Sequence, residues 1–486
     1  MRKASAPLPG RRAFAAIALL AIALRVWASH WDPPLHADEY FQYLEPAWWH
    51  WTGVGSETWE WRDGLRSWVL PFYHGAWIAF LDLCGVSQGR LLTGFIRAQW
   101  ALINSALIWL AFRAGGSLSA RLAQAAERER ARLWGGLLAA LLCAGFAPLV
   151  LYAGHVLSEM PSMLSLLAGL VISGELAELP REQGASRRGA VLAGALLALG
   201  ACLRIANAPL VLVPVVWLLA RRRLRELALL IAAALLVVVA FGLVDLATWG
   251  GFASSFVAYL RFNLVEGKAA NFGTEPASWY VHLLFELAPL GLPALLIVAV
   301  AGWRATWPYL LSDALLISYL STQPHKEARF IIGFWPPLLI ACAGSLGAWA
   351  ARAELAEQRL RALAGPGLVL AIAALVLVDG LGDATHNWFD NERIDAIAWV
   401  GRQRDLTGFM VDDAYALSSP DYGSRAPKLQ YDAALLGNDL VSHLLLPVGA
   451  GTLRGQAESA GFEVVRRGGR YLVLRRRTTG RRAERG

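Results

Sequence analysis

Apolar runs of about twenty residues recur along the chain, and a helix of that length is what a hydrocarbon core roughly 30 Å thick requires. Residues 227–248 are the plainest case, with Asp245 as their only charge. Similar runs at 13–30, 66–84, 93–113, 133–152, 161–178, 190–219, 281–301, 309–322, 330–350 and 367–381 predict about eleven transmembrane helices in all. Inside a bilayer each segment must pair its own backbone N–H and C=O groups, so such runs become helices. Composition agrees: 56% of residues are hydrophobic, 17% are charged and mean hydropathy is +0.43, whereas a soluble domain carries about 25% charged residues. A single soluble core is excluded, and an all-α polytopic membrane protein is expected.

An odd number of spans puts the termini on opposite sides. Arg2, Lys3, Arg11 and Arg12 precede the first span, which predicts a cytoplasmic N-terminus and an external C-terminus. A cleaved signal peptide ending near Val-Trp-Ala-Ser would look similar, but cleavage would release the segment that follows. The external segments are then 31–65, 249–280, 323–329 and 382–486. Residues 114–132 resist this count, because Arg121, Arg128, Arg130 and Arg132 belong inside by the positive-inside rule. Making 66–84 re-entrant and splitting 190–219 repairs the topology.

The net charge of +8 comes mostly from arginine, since lysine occurs only at positions 3, 268, 326 and 428. It gathers in short loops such as Arg221-Arg222-Arg223, which suits membrane flanks and not nucleic acid. The same bias hints at a GC-rich bacterial genome. Cys84, Cys143, Cys202 and Cys342 show no metal or disulfide spacing, so buried thiols that are neither disulfides nor metal ligands are expected. Beyond about Asp383 the apolar runs shorten. Residues 1–383 are taken as the membrane domain and 384–486 as a small soluble α/β domain, with a helix near 391–403, strands near 408–411 and 444–446, and a hairpin about Gly468-Gly469.

Three external segments carry candidate chemistry. The first, 31–65, holds Asp38, Glu39, Glu45, Glu57, Glu60 and Asp63 among many rings, and nine of the 21 tryptophans lie from Trp27 to Trp77. The aromatic residues at 40, 41, 43, 48, 49 and 51 have the spacing of an interfacial helix, whose plain reading leaves the acids solvated. An Asp-Glu pair at that depth is also suited to act as general base on a hydroxyl, beside rings such as Trp59 and Trp61 on which sugars stack. The second, 323–329, contains His325, Lys326 and Arg329, either a snorkelling basic turn or an anion site for a phosphate. The third, 249–280, offers Asn263, Trp279 and Tyr280 around a Gly- and Pro-shaped loop. Arg25, Arg97 and Arg204 fall inside spans, where an unpaired arginine costs roughly 2.5–3.5 kcal/mol. Arg204 is expected to face a partner or cavity, while Arg25 and Arg97 are expected to snorkel. Glu159 is a minor candidate.

His36-Ala-Asp38-Glu39-Tyr-Phe-Gln42 with Glu45-Pro46, then Thr58-Trp59-Glu60-Trp61 and Leu65-Arg66-Ser67, resembles the opening block of glycosyltransferase family 22. His325-Lys326-Glu327-x-Arg329-Phe330 resembles that family's second signature, Asn263 with Gly273-Thr274-x-Pro276-x-x-Trp279-Tyr280 its large luminal loop, and Arg204 its intramembrane arginine. Ala37 and Ile205-Ala206 depart from the family pattern. The resemblance implies a GT-C fold and an inverting mannosyltransferase fed by polyprenyl- or dolichyl-phosphate mannose, acting on a glycolipid or lipid-linked glycan outside the cytoplasm, in a bacterial inner membrane or the ER membrane of a eukaryote. It makes Asp38 the base with Glu39 assisting, assigns the donor phosphate to His325, Lys326, Arg329 and Arg66, and implies no metal or cofactor, since such a donor carries no pyrophosphate to clamp. Sugar or acceptor contacts fall to Trp59, Glu60, Trp61, Asn263, Trp279 and Tyr280, and Arg204 lines the membrane cavity. A transferase of another polyprenyl-phosphate sugar would keep the same segments. A flippase would instead place ionisable residues at midplane in two repeated halves, and no repeat is evident.

Overall fold

The computed structural model describes residues 8–31, 36–179, 186–289, 291–355, 391–412, 419–424 and 426–477. The principal helices are α1 Leu8–Trp31, α2 Glu45–Thr52, α3 Val69–Leu83, α4 Gly89–Asn104, α5 Ala106–Leu122, α6 Arg128–Gly145, α7 Glu159–Glu178 and α8 Arg187–Leu203. They continue as α9 Leu212–Ala220, α10 Leu224–Trp249, α11 Trp279–Leu287, α12 Gly291–Ala301, α13 Trp303–Thr322, α14 Trp335–Leu355, α15 Asn391–Gly401 and α16 Gly451–Ser459. They fall into two compact units. Unit one comprises Met1–Ser29, Gly64–Ser67 and Gln99–Ala384; unit two comprises His30–Asp63, Trp68–Ala98 and Thr385–Gly486.

Among the described residues five helices are long and apolar enough to cross a membrane: Gly10–Ser29, Gly89–Leu122, Glu159–Glu178, Leu224–Trp249 and Ala328–Arg352. Two bent pairs raise the number to seven. Hydropathy counts residues without seeing breaks, which is why the expected eleven do not map one to one. The run at 133–152 bends by 70° after Gly145, and the run at 281–301 bends by 101°. The run at 190–219 splits at Arg204, whose backbone is extended (φ −148°, ψ 101°), before a 3₁₀ segment and α9. The sequence-predicted span at 367–381 lies outside the described residues.

In unit one, α5, α6 and α14 pack through small residues. A Cβ on Gly135 would lie 2.6 Å from the Gly115 carbonyl oxygen, and one on Gly115 would lie 2.5 Å from that of Gly135, so only glycine allows this approach. The ends of several helices are tied by ion pairs and a hydrogen bond: Arg121 and Arg221 both reach Glu178, at 3.5 and 2.8 Å, and Arg352 donates to the Leu122 carbonyl at 2.6 Å. The basic segments near 121 and 221–223 therefore share one end of the unit, which the positive-inside rule requires and the straight count of spans did not give. Glu159 and Glu178 mark the two ends of the 20-residue α7, about 28 Å apart at 1.5 Å per residue.

Arg25 and Arg97 do not snorkel; they are 0% and 5% exposed. Arg25 donates to the carbonyls of Cys143 (2.7 Å) and Ala144 (3.2 Å), and to Ala21 in its own helix (3.3 Å). Those first two carbonyls belong to the last turn of α6, where the helix leaves them unpaired and the chain turns away. A buried guanidinium here substitutes for the water that a soluble helix end would use.

In unit two the C-terminal residues form a five-stranded sheet of β1 Phe409–Val411, β2 Lys428–Gln430, β3 His443–Pro447, β4 Phe462–Gly468 and β5 Tyr471–Arg476. Its order is β2-β1-β3-β5-β4, with β1 parallel to β2 and β3 and the other pairs antiparallel. Alternation along β3 sends Leu445 to one face with Ile397 and Val400 of α15, and Leu444 and Leu446 to the other with Ala457 of α16. The expected helix, strands and hairpin are all present.

Replacing Arg25 by leucine leaves the α6 carbonyls buried without donors. Each such group costs roughly 1–3 kcal/mol, so Arg25→Leu is expected to lower the melting temperature in detergent clearly, and an unchanged melt would contradict the capping role.

Candidate functional site

The acid loop in unit two is helical from its first carboxylates. A π-helical turn, Glu39–Leu44, runs directly into α2, and Gly53 closes α2 in the left-handed conformation (φ +72°). Residues 56–61 then fold back: the Ser56 N–H donates to Glu45 Oε1 (2.7 Å), Trp61 Nε1 to the Phe41 carbonyl (3.1 Å) and Gln42 Nε2 to Glu60 Oε1 (3.3 Å). The acids of the helical stretch are not solvated. Glu39 is 1% exposed and Glu45 is completely buried. Asp38 stays partly exposed, with its carboxylate 3.4 Å from His36 Nδ1.

Several of the early tryptophans serve this packing, while Trp27 and Trp51 are exposed. Trp61 lies on Trp68 with ring centroids 4.8 Å apart, and Trp68 touches Trp49 and Phe72. Trp61 is 1% exposed, so the structure gives it a core role in place of the expected sugar contact; Trp59 and Glu60 remain half-buried at the loop's edge.

In unit one the second and third segments are stitched together. Lys326 Nζ donates to the carbonyls of Glu275 (3.0 Å) and Gln323, and the Glu275 N–H donates to the Pro324 carbonyl (3.0 Å). Two of the three ammonium protons are thereby used, leaving one. His325 Nε2 meets Glu327 Oε1 at 2.8 Å, and Glu327 Oε2 accepts from Arg329 Nε at 2.5 Å. The hydrogen bond to Glu327 raises the His325 pKa.

Glu159 joins this turn to the membrane helices. Its Oε1 lies 3.1 Å from Arg204 Nη1 and 3.5 Å from Arg329 Nε, and it is 1% exposed. It sits in the first turn of α7, where the helix dipole favours a carboxylate. Arg204 reaches it from the break after α8, and the Phe330 ring lies 4.6 Å from the Arg204 guanidinium and 5.3 Å from that of Arg329. Arg204, Lys326 and Arg329 thus outnumber Glu159 and Glu327, and the surplus charge suits an anion with geometry for guanidinium donors. Arg204 is a member of this cluster, beyond the cavity-lining role expected of it. Glu159 was only weakly signalled, as a lone acid opening an apolar run.

The remaining candidates make contacts of their own. Arg66 lies 5.9 Å from the Tyr259 ring, and its carbonyl accepts from Trp249 Nε1 at 3.0 Å. Asn263 is half-buried and donates to the Tyr259 carbonyl (2.9 Å). Trp279 is half-buried against Tyr280, centroids 5.0 Å apart, whereas Tyr280 is wholly buried and packs as core. Among the described residues no group of three or more His, Cys, Asp or Glu is arranged to hold a metal ion.

Glu159→Leu leaves two guanidinium groups without their shared counter-ion, a change that costs about 3–5 kcal/mol for a buried pair. The expected result is a strong loss of thermal stability, partly recovered by adding Arg204→Met. Equal losses in the single and double variants would show that the ion pair does not organise the cluster.

The sequence profile of the Alg9-like mannosyltransferase family matches residues 16–383. GPI mannosyltransferase 3 of Yarrowia lipolytica is 28% identical over 318 residues, covering 64% of this chain and 58% of that protein. A Drosophila melanogaster protein, Dol-P-Man:Man(7)GlcNAc(2)-PP-Dol alpha-1,6-mannosyltransferase, is 38% identical over 84 residues, 17% of this chain and 12% of its own length. The chain therefore spans about three-fifths of the Yarrowia relative and a small part of the Drosophila one. ArnT from Cupriavidus metallidurans, solved bound to undecaprenyl phosphate, has the same fold with a TM-score of 0.59 at 14% identity, covering 96% of this chain and 98% of that one. The fold is GT-C, in an integral membrane protein, and the chain belongs to the Alg9-like mannosyltransferase family.

Proposed function

We propose that this protein is an inverting mannosyltransferase that moves mannose from polyprenyl- or dolichyl-phosphate mannose to a hydroxyl of a glycolipid or lipid-linked glycan on the non-cytoplasmic side of its membrane. The observation that supports the reading is the buried set of Glu159, Arg204 and Arg329 beside Lys326 and His325, an excess of cationic donors at a signature of the family. The donor named for the Drosophila relative, and the lipid phosphate bound by ArnT, supply the chemical class.

In this mechanism Asp38 accepts the proton of the acceptor hydroxyl while that oxygen forms its bond to the anomeric carbon. The bond from that carbon to the phosphate oxygen breaks in line, so a β-linked donor gives an α-mannoside. Glu39 orients the acceptor. The leaving group departs as polyprenyl phosphate, already anionic, so cations take the place of a general acid. Lys326, Arg329 and Arg204 stabilise it, with His325 and Arg66 contributing. Trp59, Glu60, Asn263 and Trp279 are the candidates for sugar contact that retain exposure.

The test is transfer by the purified protein to a mannose-bearing glycolipid, offered either polyprenyl-phosphate mannose or GDP-mannose. Transfer is expected from the lipid phosphate only, with Asp38→Asn slowing it by about 10²–10⁴-fold. Transfer from GDP-mannose, or full activity of the variant, would overturn the reading.

A further inference from the structure

The family match stops at residue 383, yet the C-terminal sheet domain shares a compact unit with the acid loop. Two buried sets of contacts join that domain to the acid loop. Tyr40, directly after Glu39 and 1% exposed, donates its hydroxyl to Asp421 Oδ2 at 2.5 Å, and Thr93 Oγ1 reaches the other oxygen at 3.5 Å. Burial and the Asp421 carboxylate push the Tyr40 phenol well above its ordinary pKa, so its proton stays in that bond. Five residues further on, Glu45 accepts from the Ser419 N–H (2.9 Å), the Ser419 hydroxyl (2.5 Å) and Lys428 Nζ (3.1 Å). Glu45 and the Lys428 side chain are 0% and 8% exposed.

These grips are rooted in the sheet. Tyr422 stacks on Phe409 of β1 with centroids 5.3 Å apart at 17°, and Lys428 opens β2 in register with that same Phe409. The π-helical turn between the two anchors is the segment that carries Glu39, with Asp38 immediately before it. π turns are rare, and occur mostly as single turns inside α-helices, frequently at functional sites.

We propose that the C-terminal domain is the positioning element of the acid loop, with Asp421, Ser419 and Lys428 holding Tyr40 and Glu45 so that Asp38 and Glu39 keep a productive orientation. The inference rests on the reading of Asp38 and Glu39 as the acceptor-side carboxylates. Its residues do not touch substrate; they act through the loop.

The experiment compares full-length wild type, Asp421→Asn, Tyr40→Phe, their double variant, Lys428→Met and Lys428→Arg, measuring transfer kinetics and hydrogen exchange of peptides covering 39–52. Asp421→Asn and Tyr40→Phe are each expected to lower kcat about tenfold, with the donor KM within about twofold. The double variant should be no worse than either single one, and exchange at 39–52 should quicken while the α5 and α6 peptides stay unchanged. Lys428→Arg should keep most of the activity that Lys428→Met loses. Unchanged kcat and unchanged exchange would overturn the proposal, as would additive losses accompanied by faster exchange throughout the protein. If Asp421→Asn does not fold, Tyr40→Phe decides alone, since it removes a single hydroxyl. If wild type transfers no mannose from the lipid phosphate, the proposed function fails, and exchange at 39–52 still decides the positioning.

Discussion

The arrangement depends on how charge is kept inside an apolar chain. Glu159 shares one carboxylate between Arg204 and Arg329, both mostly buried, and each arginine would be costly there alone. That triad fixes the end of α7, the break after α8 and the turn before α14 relative to one another within unit one. The same constraint recurs elsewhere. Arg25 is admitted to the core because helix-end carbonyls await donors, and Glu45 because Lys428, Ser419 and Ser56 surround it. Arginine and glutamate thus mark the places where helices stop, bend or meet.

This explains the form of the cationic cluster. Its backbone is held by the Lys326 contacts to Glu275 and Gln323, and its side chains by Glu159 and Glu327, so the donors are ordered before any ligand arrives. Preorganised donors lose little on binding and stabilise developing charge without rearrangement. Such a site suits a departing phosphate, whose charge needs several fixed partners.

Legibility in the sequence followed the range of each interaction. The apolar helices were visible because hydropathy is summed locally, and the Gly468-Gly469 hairpin because turn chemistry is local too. Breaks inside the runs were less visible: the carbonyls freed at the bend after Gly145 are met by Arg25, over a hundred residues away. Among the candidate site residues, Asp38, Glu39 and the His325 to Arg329 turn were singled out through contiguous motifs. Glu159 could be found only weakly, since its partners lie at 204 and 329. The hold of Asp421 on Tyr40, across 381 positions, leaves no local trace, and the tyrosine looked like one more interfacial ring. Trp61 and Tyr280 show the converse, as rings in promising loops that the fold uses for packing.

The central claim is that the turn at 323–329 receives a lipid phosphate. It is tested most directly by equilibrium binding of a polyprenyl phosphate and of the matching polyprenol to wild type and to Lys326→Met/Arg329→Leu, in one detergent. Hydrogen bonds to charged groups contribute about 1.5–3 kcal/mol each. Wild type should therefore prefer the phosphate over the alcohol by at least about tenfold, and the double variant should lose that preference while still binding the alcohol. Equal affinity for the two lipids in wild type, or an undiminished preference in the variant, would contradict the account.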